Sequence, residues 1–158
     1  MIHIEFNVAP ILARLAQARA SLDDMTPVFK DVGRYVQDST RARFPAGVGP
    51  DGTRWRDKRP ATLAAYLRRG DGKRPHPLIG PSGRLGNEIV AEVTSEQAEI
   101  GSSLIYSGVM QEGAQKGAFG PRTPWGDIPA RPFLGISADD ERTIIEIVDE
   151  HLAEAAGE

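Results

Sequence analysis

The feature that most constrains the fold is the region from about residue 45 to residue 80, which shows almost no apolar periodicity. Residues 45–60 are rich in glycine, proline, aspartate and arginine, and RGDGKRPHP (residues 69–77) has a similar composition. Glycine and proline interrupt helices and strands, so only Ala61–Arg69 is predicted to form a short helix here. We therefore expect a long, basic, weakly structured loop region here.

Three regular elements are predicted before this region. Residues 2–6 alternate apolar and polar side chains, which is typical of a short half-buried strand. Asn7 can cap a helix whose apolar side chains then recur at three- and four-residue intervals. A second helix is predicted with Thr26 as its N-cap and Pro27 at its first position, and we expect Phe44-Pro45 to end it.

After the loop region, the sequence predicts a small antiparallel sheet. In residues 88–94, apolar side chains at positions 89, 91 and 93 alternate with polar ones at 88, 92 and 94. Ser95–Gln97 can turn the chain back into a second strand that includes Ala98 and Ile100. We therefore expect a β-hairpin in this part of the chain.

The C-terminal part predicts a loop at 113–127, an extended segment in PARPFLGIS (residues 129–137) and one helix. The helix begins at Ser137 or Asp139, and its acidic side chains lie opposite an apolar stripe that we expect to be buried. That stripe consists of Ile144, Ile145, Val148 and Leu152.

The predicted class is α+β, in a single domain spanning residues 1–158. It comprises an N-terminal strand and two helices, a small antiparallel β-sheet with long loops, and a C-terminal amphipathic helix.

The stretch GPDGTRW (residues 49–55) places a large aromatic ring shortly after a turn. Asp51-Gly52 favours a tight turn, and Trp55 can then fold back onto the domain and fasten the loop to it. The alternative is an ordinary surface loop whose tryptophan fills a gap in the core.

Charge is distributed unevenly along the chain. Residues 41–74 contain ten basic and three acidic side chains, a balance of +7. Residues 139–158 contain eight acidic side chains and one arginine, a balance of −7, although the whole chain carries only −3. Net charge therefore names no partner, whereas its distribution suggests that the two stretches have different contacts.

Motifs for catalysis or metal binding are missing from the sequence. The chain has no cysteine, and its three histidines, His3, His76 and His151, have no ligand spacing. Ser102-Ser103 does not lie in a nucleophile turn, and no phosphate-binding loop motif follows the glycines near residue 50. We expect no enzyme activity, no cofactor and no metal. Nor do about 18 apolar residues occur in a row, so we expect neither a signal peptide nor a membrane span.

An ordered series of short motifs between Phe44 and Ile136 resembles the phage virion morphogenesis family, the tail-completion proteins of Mu-like and related contractile-tailed phages. The series departs from that family at Met110, where such proteins tend to have a histidine. The motifs are FPAGVGPDGTRW (residues 44–55), TL (62–63), LIGPSGRL (78–85) with Ile89, IGS (100–102) with Tyr106, QEG (111–113) and IPARPFLG (128–135).

The resemblance implies a structural protein that acts in tail completion or head-tail joining, as one subunit of a homo-oligomeric ring. Its implied partners are other copies of itself and tail tube or neck-connector proteins, with possible contact between the ring and the phosphate backbone of packaged DNA. It implies assembly in the host bacterial cytoplasm and a final place in the tail or neck of the virion.

The loops and charged stretches supply candidate interface residues for such a ring. Tryptophans in loops are enriched at interface hot spots, and the basic loop of one subunit can meet the acidic helix of the next. Two alternatives are a nucleic-acid binding module that uses residues 41–74, and a hydrolase that uses the carboxylates. The candidate interface residues are Arg54, Trp55, Arg56, Arg59, Trp125, Glu146, Glu150 and Glu154.

Overall fold

The structure is a computed structural model, and it describes residues 12–13, 16, 19–20, 22–122 and 126–156. Its helices and strands make it an α+β protein, as predicted. The elements are α1 (Thr26–Ala46), α2 (Pro60–Arg69), α3 (Arg84–Asn87), β1 (Ile89–Val93), β2 (Ala98–Ser102), α4 (Ser107–Glu112) and α5 (Ala138–Ala156).

The predicted N-terminal strand, residues 2–6, lies outside the described residues. The described residues between 12 and 23 are helical, in agreement with the first predicted helix, and their side chains are exposed.

The predicted N-cap role of Thr26 is wrong, because helix α1 begins one residue earlier: Met25 occupies the N-cap position and Thr26 is the first helical residue. The Asp24 carboxylate accepts a hydrogen bond from the Thr26 backbone N–H at 2.9 Å. Its predicted end at Phe44-Pro45 is wrong, because the helix continues through Pro45 to Ala46. Pro45 has no N–H to donate to the carbonyl four residues earlier, and the helix ends one residue after it. Gly47 then closes the helix in the left-handed conformation, at φ 71°, and its N–H donates to the Arg43 carbonyl.

The predicted β-hairpin is confirmed, with β1 and β2 antiparallel and Ala91 paired with Ile100. The alternation buries Ile89 completely and leaves Val90 exposed. The hairpin packs on α1, where the Gln37 amide and the Arg41 guanidinium donate hydrogen bonds to the Ile89 carbonyl at 2.6 and 2.9 Å. One face of the small sheet is therefore covered by α1.

The main hydrophobic core forms around the C-terminal end of α1. Phe44 contacts Trp55 edge to face, with ring centroids 5.8 Å apart, and also contacts the fully buried Phe133 at 5.5 Å. Leu78, Leu85 and Ile89 complete this cluster. It therefore joins α1 to the loop region, the hairpin and the extended segment before α5.

Helix α5 begins with a reciprocal pair of hydrogen bonds that selects one of the two predicted starts. Ser137 Oγ accepts from the Asp140 N–H, and Asp140 Oδ2 accepts from the Ser137 N–H, which makes Ser137 the N-cap. The predicted buried stripe is only partly correct. Ile144 and Val148 are half-buried, whereas Ile145 and Leu152 are 60% and 41% exposed.

The exposed side chains on α5 have a structural cause. Among the regular elements, α5 packs principally on α1. A helix that packs on a single neighbour buries a narrower stripe of its own surface than one that lies in a groove between two elements. Side chains displaced from that stripe, such as Ile145, therefore face outward.

Candidate functional site

The extended segment from Ile128 to Gly135 is the centre of the candidate site, because several distant side chains converge on its backbone. The Gln111 side chain acts like a neighbouring strand. Its Oε1 accepts from the Phe133 and Leu134 N–H groups at 2.9 and 3.0 Å, and its Nε2 donates to the Leu134 carbonyl at 3.1 Å. One glutamine thus satisfies three buried or half-buried backbone groups.

Helix α4, which carries Gln111, approaches this segment closely at its C-terminal end. A Cβ atom at Gly113 would lie 2.7 Å from the Ile128 oxygen and 2.7 Å from the Ala130 nitrogen, and φ at Gly113 is 78°. Only glycine fits both the space and the backbone conformation. The glycine of the QEG motif therefore permits the glutamine of the same motif to reach the segment.

Trp55 fastens the loop after α1 to the other side of the same segment. Its ring is 4% exposed, and its Nε1–H donates to the Pro132 carbonyl at 2.8 Å. Asp51 organises the preceding turn by accepting from the N–H and hydroxyl of Thr53. The prediction that the tryptophan staples its loop is confirmed, and its other predicted role, at an interface, stays a prediction.

Arg43 links three elements from a buried position. Its Nη1 donates to the Phe133 and Gly135 carbonyls, each at 2.8 Å, and its Nη2 donates to the Asp140 carboxylate at 2.5 Å. Charge-assisted hydrogen bonds of this kind are stronger than those between neutral groups. Arg43 therefore holds the end of the segment and the start of α5 against α1.

Asp140 is fully buried, and both of its carboxylate oxygens accept hydrogen bonds. Ser39 and Tyr35 of α1 donate to its Oδ1, at 2.5 and 3.2 Å, while Ser137 and Arg43 donate to its Oδ2. Burial by itself would raise the pKa of Asp140, but the hydrogen bonds and the Arg43 charge outweigh it and lower the pKa from 3.8 to about 2. The carboxylate is therefore charged at neutral pH.

Part of the basic loop region is held in place by backbone carbonyls. Lys58 donates to the Arg74 and Ile79 carbonyls at 2.7 and 2.6 Å, and Arg131 donates to the Arg56 carbonyl at 2.8 Å. Burial, followed by the charges of Arg131 and Arg74, lowers the pKa of Lys58. These cations fasten loops within the chain, so not every basic side chain of the region is free for a partner.

A second loop projects from the segment between Ala114 and Ile128. Two backbone hydrogen bonds between these residues, at 2.9 and 2.7 Å, close its base. Arg59 donates to the Asp127 carbonyl at 3.1 Å. Phe119 is 54% exposed on this loop, and the candidate Trp125 lies outside the described residues.

The remaining candidate interface residues divide into two exposed groups. Arg54, Arg56 and Arg59 are exposed on the loop after α1. The acidic candidates, which are also exposed, all lie on α5: Glu146, Glu150 and Glu154.

Within the described part of the chain, no ion pair joins these two groups, and Arg43–Asp140 is the one ion pair between the +7 and −7 stretches. The prediction that the exposed groups contact other chains stays a prediction.

The anchoring roles of Gln111, Arg43, Asp140 and Arg131 were not predicted from the sequence. Gln111 and Arg131 do lie in quoted motifs, QEG and IPARPFLG, so the motif series indicated their positions without their function. Arg43 and Asp140 were counted only as members of charged stretches. The Ser-x-x-Asp spacing of Ser137 and Asp140 is a local capping signal, and Arg43 lies seven residues after the buried Val36 on the same side of α1.

We next consider the described residues for a ligand cleft, a metal site and a membrane-spanning helix. An open cleft of about 480 Å³ lies beside Arg43 and Asp140, between the end of α1 and the start of α5. No group of metal-ligating side chains occurs among the residues that the structure describes. Of the helices in the described part of the chain, none has the length and apolar character that crossing a membrane requires.

Comparison with known proteins identifies relatives along almost the whole chain. The profile of the phage virion morphogenesis family matches residues 6–153. The chain is 27% identical over 155 residues to "Mu-like prophage FluMu G protein 2" of Haemophilus influenzae, an alignment that covers 96% of each protein. It is 28% identical over 159 residues to "Putative capsid assembly protein G" of Escherichia phage Mu, covering 96% of this chain and 97% of that protein. No solved structure gives a significant match.

Proposed function

We propose, from the premise that this chain belongs to the phage virion morphogenesis family, that it forms a ring that completes the phage tail or joins the tail to the head. Membership of the family makes it a structural protein of phage particle assembly. The finer role, at the tail end or in the neck, is our proposal. In this role the protein assembles in the bacterial cytoplasm and contacts the tail tube or the neck connector.

One observation carries the proposal: the chain exposes two surfaces of opposite charge that do not pair with each other. Arg54 and Arg56 lie on one of them, and Glu146 and Glu150 lie on the other. A subunit with two complementary surfaces can bind the next copy head to tail. Such heterologous contacts close into rings when the rotation between copies allows it.

The extended segment from Ile128 to Gly135 supports the same role. A ring subunit must keep its outer surfaces at fixed relative positions, and Arg43, Trp55 and Gln111 all fasten the segment that leads into α5. The acidic helix is thus fixed relative to α1, the element that leads into the basic loop. This rigidity lowers the entropy cost of assembly.

The test is a charge reversal measured by size-exclusion chromatography with light scattering. Exposed ion pairs contribute about 0–1 kcal/mol each and are screened by salt, so they set orientation and rate more than affinity. Replacing Arg54, Arg56 and Arg59 by glutamate should slow or abolish ring formation at low salt. Replacing the three acidic candidates by lysine in the same chain should restore it.

Two outcomes would contradict this proposal. One is that the first triple variant assembles normally, and the other is that the combined variant stays folded but monomeric. The place of the ring is tested by electron microscopy of particles produced without the protein. We expect tails that lack their normal end or do not join heads, and normal complete particles would overturn the assignment.

A nucleic-acid binding role is a second candidate, and the exposure of Arg54, Arg56, Arg68 and Lys73 favours it. Contacts between such side chains and phosphates release counterions, so affinity falls steeply as salt increases. A DNA mobility shift with this salt dependence would support the role. Loss of that shift when Arg54, Arg56 and Arg59 are replaced by glutamate, but not in a variant of the hairpin turn, would locate the DNA contact.

A further inference from the structure

Helix α2 leaves a row of apolar side chains uncovered. None of its ten residues is buried. Ala61, Ala64 and Leu67 are exposed and are spaced three residues apart, which places them on neighbouring positions of one side. Leu67, at 54% exposed, is the largest of them. We refer to these three residues as the α2 row.

Helix α5 leaves a second row uncovered. Ile145 and Leu152 are 60% and 41% exposed and lie seven residues apart, so they fall on one face of the helix. These two residues form the α5 row. Helix geometry gives the α2 row a length of about 9 Å and the α5 row a length of about 10.5 Å.

The charges beside the two rows have opposite sign. Helix α2 contains no acidic residue, and the exposed Arg68 follows its row directly. Glu141 and Asp149 lie four residues before and after Ile145, and both are exposed on the same side of α5, with Asp149 between the two residues of the row. The exposed Arg142, three residues before Ile145, pairs with the exposed Asp139, so the acidic side chains outnumber the basic one. The first row therefore has a basic rim and the second an acidic rim.

We propose that the α2 row of one copy packs on the α5 row of the next copy in the ring. This inference rests on the proposed function, and it names the contact that would join the subunits. A second copy is the occupant that fits, because the same chain presents two apolar rows of similar length with complementary rims. Two copies of the α5 row would instead place Glu141 and Asp149 against like charges, which is unfavourable.

The apolar rows and the charged groups have different tasks in this contact. Burying apolar side chains supplies the favourable free energy of association. The charged rims favour the pairing of α2 with α5 over the pairing of α2 with α2 or of α5 with α5. Assembly should therefore weaken but persist at high salt, because apolar contacts are not screened.

Two variants with complementary defects test the proposal. The first carries Leu67→Glu and Arg68→Glu, and the second carries Ile145→Lys and Asp149→Lys. Each alone should remain monomeric at a concentration at which the unaltered chain assembles. Mixed in equal amounts, they should form a 1:1 dimer that grows no further, because each variant retains the one row that the other lacks.

The controls are Leu67→Met and Ile145→Leu, which keep the apolar rows and should assemble normally. Light scattering gives the mass of each species, and melting temperature reports on folding. If the first variant assembles and the second does not, α5 pairs with itself and the proposal is overturned. If the second variant melts far below the first, the α5 row contributes to the fold of the single chain and the proposal is overturned.

Failure of the inference is distinguishable from failure of the proposed ring. If the unaltered chain forms rings but the mixed variants give no dimer, only this contact is wrong. If the unaltered chain is a monomer at every concentration and particles are complete without it, the ring is wrong and the contact fails with it.

Discussion

The Arg43 Nη2 atom lies 2.5 Å from the Asp140 Oδ2 atom, and both side chains are almost completely shielded from solvent. This ion pair joins the C-terminal end of α1 to the first turn of α5, across 97 residues of sequence. Removing one partner of a buried pair typically costs about 3–5 kcal/mol, because it leaves the other charge uncompensated. The relative position of the two helices therefore depends on this pair.

Asp140→Asn should lower the free energy of unfolding at pH 7 by about 3–5 kcal/mol, because Arg43 would lose its counter-charge. Urea unfolding measures the change. The matched control is Asp139→Asn, since Asp139 is exposed and pairs with the exposed Arg142. It should change stability by less than about 1 kcal/mol. Equal stability of the two variants would show that the buried pair is not needed.

The same carboxylate predicts acid sensitivity. The pKa of Asp140 is lowered from 3.8 to about 2 in the folded chain, so its stabilising contribution is complete above about pH 4. That contribution, about 2 kcal/mol, is lost as the pH falls through the folded value. Urea unfolding at pH 5, 4, 3 and 2 should show this loss in the parent protein and a shallower one in Asp140→Asn. Parallel pH profiles would contradict the assignment.

Phe133→Ala should make the protein unstable or insoluble. The ring is fully buried against Phe44, and truncating a buried phenylalanine costs about 3–5 kcal/mol. Phe119→Ala is the matched control because Phe119 is half exposed, and its melting temperature should stay close to that of the parent. The segment would not be part of the core if Phe133→Ala melted within a degree or two of the parent.

Gln111→Ala should destabilise the chain by about 1–3 kcal/mol, because three backbone groups of the extended segment lose their partner. Hydrogen exchange should show faster exchange at the Phe133 and Leu134 amides. Gln115→Ala, at an exposed position a few residues later, should alter neither quantity. Unchanged protection in Gln111→Ala would mean that the Gln111 hydrogen bonds are not needed to hold the segment.

Trp55 should fluoresce as a buried indole even in the free subunit. Within one chain its ring already packs on Phe44, and its Nε1–H donates a hydrogen bond to the Pro132 carbonyl. Trp125→Phe isolates this signal. We expect emission at short wavelength that does not move when the protein assembles. A shift to shorter wavelength on assembly would instead support the interface role of Trp55.

The sequence by itself determined the elements whose signals are local. The proline and apolar spacing of α1, the alternation over β1, and the start of α5 at Ser137 or Asp139 each depend on neighbours a few residues away, and all three elements are present. The ordered motifs likewise indicated the family, because a resemblance between sequences depends only on residue types and their order along the chain. Local hydrogen bonding and side-chain periodicity can be predicted from the order of residues along the chain.

Tertiary structure decided which side of each element is covered and which charges are buried. Ile144 and Ile145 are identical in type and adjacent, yet only the first packs inward, because α5 has one principal neighbour. Arg43 lies in the same basic stretch as Arg54, yet it is buried because Asp140 and two carbonyls from the other end of the chain surround it. Burial depends on contacts between residues far apart in sequence, so composition and periodicity do not specify it.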